Sequence, residues 1–71
     1  MKAVTPEYRS DYNRTIFAEG EAKAIITVLE SRGLALSPEA RARITACTDL
    51  DQLDAWLRRV GSVSAVDALF D

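Results

Sequence analysis

Chemistry in a short chain needs a nucleophile, a base, a metal set or a charged patch, and each can be sought by residue type. No histidine is present, so no Ser-His or Cys-His pair can activate a nucleophile. Cys47 is the only cysteine, which rules out an internal disulfide and leaves the chain without a usual zinc ligand set. Its spacing from Ala40 and Ile44 places it on a core-facing side, where a thiol acts as a small apolar residue. Glu19/Glu21 and Asp49/Asp51/Asp54 are acidic groupings, but acids in a first helical turn are what caps and the helix dipole favour. The glycines Gly20, Gly33 and Gly61 are scattered and cradle no phosphate. Arg41, Arg43, Arg58 and Arg59 could form a basic patch, a possible nucleic-acid contact. No catalytic, cofactor-binding or metal site is expected, and the chain does not read as an enzyme.

Positioning these residues falls to helices. Thr5-Pro6-Glu7 is a start signal: a capping hydroxyl, proline at the first helical position, then an acid. It predicts one long helix over about 6–32 with its stop at Gly33. Ser37-Pro38-Glu39 repeats the signal and opens a helix over 38–47, with Ala40, Ile44 and Cys47 on one face. Asp49 and Gln52 have capping-box spacing, and the helix they open runs over 49–60 to Gly61. Leu50, Leu53, Leu57 and Val60 recur along it with Trp56 beside them. Ser64 and Asp67 frame a short last helix over 65–70, bringing Val66, Leu69 and Phe70 to the core. No segment alternates with period two. The expectation is a single all-α domain: one long helix, then three short ones.

With 71 residues there is room for one domain, whose buried fraction of about 60% leaves it marginal. Oligomerisation is a common remedy at this size. Nine Lys+Arg against eleven Asp+Glu give a net charge of -2. With a pI near 5, composition leans away from a nucleic-acid binder. No apolar run reaches the ~18 residues of a membrane span, and no export signal is read, so a cytoplasmic protein is expected.

The long helix shows two apolar sides. At ~100° per residue, Ala18, Ala22, Ile25, Ile26 and Leu29 make one stripe, while Phe17, Ala24 and Val28 lie nearly opposite. Two stripes imply two neighbours, and the short helices can supply only the first. A helix over 6–32 would span about 40 Å, against about 29 Å for a compact globule of this length. It should overhang its own domain and expose Tyr8, Tyr12, Ile16 and Phe17. Gly20 and Ala24 would let another helix approach closely. The predicted interface of a homo-oligomer, with a dimer favoured, is Tyr12, Ile16, Phe17, Gly20, Ala24 and Val28. Ile44, Leu53, Trp56, Leu57 and Phe70 should line the internal core. An alternative is a DNA-binding accessory domain, since the second and third short-turn-linked helices have a helix-turn-helix outline and four arginines. Against it, the recognition helix would begin Asp49-Leu50-Asp51-Gln52, which repels phosphate.

These residues carry a resemblance. "FAEGEAKAIITVLESRG", "LSPEARARITACTDLDQLDAWLRR" and "SAVDALF", in this order, resemble the helical C-terminal region of Rpn/YhgA-like transposases, whose N-terminal domain is a PD-(D/E)XK nuclease. The same region resembles a bacterial domain of unknown function found behind such nucleases. The similarity covers about residues 9–70 and rests on Gly20-Glu21, Leu29, Arg32-Gly33, Ile44, Asp49-Leu50, Leu53, Trp56-Leu57-Arg58-Arg59 and Leu69-Phe70. It implies a self-associating tail that can bind and restrain a full-length nuclease of recombination or phage defence. Glu21-Ala22-Lys23 fits the letters of the nuclease acid-x-lysine pair, but it lies in a strongly helical stretch with no strand before it. The resemblance therefore implies the tail without the nuclease.

Overall fold

The computed structural model describes residues 11–71, with side chains from Asn13 onward. The start signal at Thr5-Pro6-Glu7, Tyr8 and the side chain of Tyr12 lie outside the described residues. Within them the chain is all-helical, with no strand. Helix α1 runs Asp11–Ser31, α2 Pro38–Ala46 and α3 Leu50–Arg59, and a 3-10 helix, Val66–Phe70, follows.

Local chemistry explains each boundary. Gly33 adopts φ 74°, the left-handed conformation that glycine enters without a Cβ penalty. Its N–H donates to the Glu30 carbonyl at 3.0 Å, and Leu34 N–H donates to Leu29 at 3.1 Å. That bond pair is a Schellman motif, which satisfies carbonyls that the end of α1 would leave bare. At α2 the Ser37 hydroxyl accepts from Ala40 N–H, with Pro38 in the first turn. At α3 the Asp49 carboxylate accepts from the N–H groups of Asp51 and Gln52 at 3.0 and 3.3 Å. Asp49 and Cys47 are thus caps outside the helices, which accounts for the one-residue differences from the expected 38–47 and 49–60.

α3 ends ahead of Gly61 through a turn in which Ser62 and Val63 N–H both donate to the Arg59 carbonyl. One expected detail is corrected. Ser64 does not cap the last helix, whose N-cap is Ala65 without a side-chain bond. That segment winds as a 3-10 helix, in which residues three apart share a side. Val66 and Leu69, at this spacing, are both buried, so the tighter winding aims both at the core.

The core lies where α1 crosses α3 and α2, with α3 its main neighbour. Ala18, Ala22, Ile25, Ile26 and Leu29 of α1 meet Ala40 and Ile44 of α2 and Leu53, Trp56 and Val60 of α3. Trp56 is closed over by Phe70, edge to face at 5.2 Å between ring centres, a favoured aromatic geometry. Leu57, Leu50 and Phe70 are half-buried at the margin of this cluster. Among the described residues no helix is long and apolar enough to cross a membrane.

Candidate functional site

The side of α1 turned away from the core is the candidate. Every described residue from Arg14 to Phe17 is exposed, and the first buried side chain is Ala18. This stretch of α1, ahead of Ala18, contributes no buried side chain to the core cluster. Ile16 and Phe17 are 45% and 48% exposed, the two large apolar residues marked as exposed in the described chain. Gly20 and Ala24 lie farther along the same outward side and are exposed. A Cβ at Gly20 would meet nothing within 4 Å. No close contact with a described residue requires a glycine there, although one in a helix interior costs about 1 kcal/mol relative to alanine.

The six predicted interface residues thus separate. Ile16, Phe17, Gly20 and Ala24 form one exposed surface. Val28 is half-buried and packs against the core cluster, at the edge of the buried stripe. Tyr12 cannot be placed, its side chain being outside the described residues.

Charge is arranged unevenly beside this surface. Phe17, Glu21, Leu50 and Asp54 line a shallow hollow between α1 and α3. Partial burial raises the Glu21 carboxyl above its ordinary value, and the charge of Asp54 adds to the effect. Just before it Arg14 lines a second hollow with Asp49, Leu50 and Asp51. Neither Arg14 nor Glu21 forms an ion pair with another described residue. A raised carboxyl means that the folded chain holds this proton more tightly than the unfolded chain does. Ionised Glu21 therefore destabilises the fold, and the penalty fades as pH falls through the raised value. Glu21→Gln should melt higher than the parent at neutral pH under dissociating dilution, with the gap closing on acidification. Thermal midpoints across a pH series measure this.

All four arginines of the expected basic patch are engaged within the chain. Arg41 bonds Glu30 at 2.6 Å, tying α2 to α1. Arg58 bonds Asp54 at 2.9 Å, one turn back. Arg43 lies over the Phe70 ring at 4.4 Å, a cation–π distance. Arg59 donates to the carbonyls of Ala68 at 2.6 Å and Asp71 at 2.8 Å. Sequence reading missed a fifth: Arg32 reaches the carbonyls of Val60 and Val63 at 2.9 and 2.6 Å. A cation there completes acceptors past the end of α3, where the dipole also favours positive charge. Only its place beside Gly33 hinted at this role. Glu21-Ala22-Lys23 is continuous α-helix, with Ala22 in the core.

Compared with known protein families, curated proteins and solved structures, the chain matches none.

Proposed function

We propose that this chain is a non-catalytic self-association module that forms a homodimer through the outward side of α1. In this reading one long helix carries the interface and the shorter elements brace it. The observation that carries it is Gly20, a helix-interior glycine opposite the core whose surroundings among the described residues are open. Close approach of another helix supplies the missing reason for a residue without a side chain. Ile16 and Phe17 beside it offer apolar area, and a small domain gains stability from association.

The sequence resemblance gives the module its setting. It would pair chains that bear an Rpn/YhgA-like nuclease, or bind such a chain and restrain it, in the cytoplasm of a bacterium. No observation in the structure favours the DNA-binding alternative, since its four arginines serve as internal contacts.

Ala24→Glu tests the reading. It sets a carboxylate on the proposed contact where the single chain has open solvent, so the variant should stay helical by circular dichroism and sediment as a monomer. A full-length nuclease of the resembled family should retain the parent chain in co-elution and lose this variant. A parent chain that is itself monomeric, or a variant that still pairs, would overturn the proposal.

A further inference from the structure

If α1 is the contact, its residues also determine how two copies lie against each other. Along the outward side, Phe17, Ala24 and Ser31 occupy one heptad position and Asn13, Gly20 and Thr27 the other. Arg14 and Glu21 flank this seam on the α3 side; Ile16 and Lys23 flank it on the α2 side. We infer that two α1 helices pair antiparallel, in the register that lays Phe17 of each copy over Gly20 of the other and Arg14 of each opposite Glu21 of the other. This deepens the self-association reading and rests on it.

Three facts select that register. The largest seam side chain then meets the residue with none, so the gap left by Gly20 is filled by a ring instead of facing a second gap. The charges then match, because flanking residues on the same side face each other in antiparallel helices. Arg14 and Glu21, which have no ion pair in the described chain, acquire each other twice by symmetry. On the opposite flank the Lys23 stem covers Ile16, a common use of a lysine stem. Sliding one helix by a heptad would set Glu21 against Glu21 across the seam. A parallel pair would stack Phe17 on Phe17 and Gly20 on Gly20 and turn Glu21 toward Ile16.

The test uses Arg14→Glu and Glu21→Arg, apart and mixed. Each variant alone turns two attractive pairs into two repulsive ones, for about a tenfold weaker association. An equimolar mixture restores both pairs in a heterodimer and should associate as tightly as the parent. Orientation is read separately from Ala24→Cys in a Cys47→Ala background. Antiparallel pairing holds the two thiol-bearing positions about 16 Å apart along the axis, too far for a disulfide, so mild oxidation should give no covalent dimer. A mixture no tighter than its components, or a ready Ala24→Cys disulfide, overturns the register while the parent remains dimeric. A parent chain that is monomeric at every concentration removes self-association and register together.

Discussion

Leu53→Ala should lower the stability of the fold by about 2–5 kcal/mol, the range for deleting a fully buried leucine side chain. Leu53 is 0% exposed at the centre of the cluster where α3 meets α1. Its removal leaves a hole among helices whose backbones are held at both ends. Asp49 caps one end of α3, and the carbonyls beyond the other are held by Arg32. Collapse into the hole is therefore restricted, which argues for the upper part of the range. A chain of this size has a total on the order of 3–10 kcal/mol, so the variant should be largely unfolded at physiological temperature or melt more than about 10 °C lower. Leu57→Ala is the control, because Leu57 is only half-buried. Circular dichroism melts at one fixed concentration measure both, since association would shift the midpoint. Equal losses for the two leucines would mean the core is centred elsewhere.

Gly20→Leu should have the opposite character. Within one chain the added side chain enters open space and replaces a poor helix former with a good one, so the monomer should gain about 0.5–1 kcal/mol. Between chains it stands where Phe17 of the second copy would pack, and the obstruction occurs twice. Overpacking costs about 1–3 kcal/mol at each site, so association should weaken by about thirtyfold or more. Sedimentation across a dilution series measures the weakening, and thermal melts at a concentration where the parent is dissociated measure the gain. A variant that melts lower would place Gly20 against its own chain, and one that dimerises like the parent would move the seam off this side.

Legibility in the sequence tracked how local the cause is. Ser37-Pro38-Glu39, Asp49 with Gln52, and Gly33 could be read directly because a cap or a left-handed stop involves only residues a few places apart. The buried stripe of α1 was equally plain, being set by periodicity. Val28 stands at the boundary between the two stripes, and its half-buried position against the core cluster depends on tertiary packing that periodicity alone does not fix. The last element is legible as a short helix, but its 3-10 winding depends on the core that Val66 and Leu69, three residues apart, both face. The arginines were hardest. Which carbonyls a fold leaves for Arg32 and Arg59 is a tertiary matter, and so is whether Arg43 finds the Phe70 ring.

The central claim is that the outward side of α1 is covered by a second copy. Light scattering behind a sizing column, over a dilution series of the purified chain, tests it most directly. A homodimer gives twice the chain mass at high concentration, falling toward the monomer mass on dilution. A single monomer mass at every concentration would contradict it.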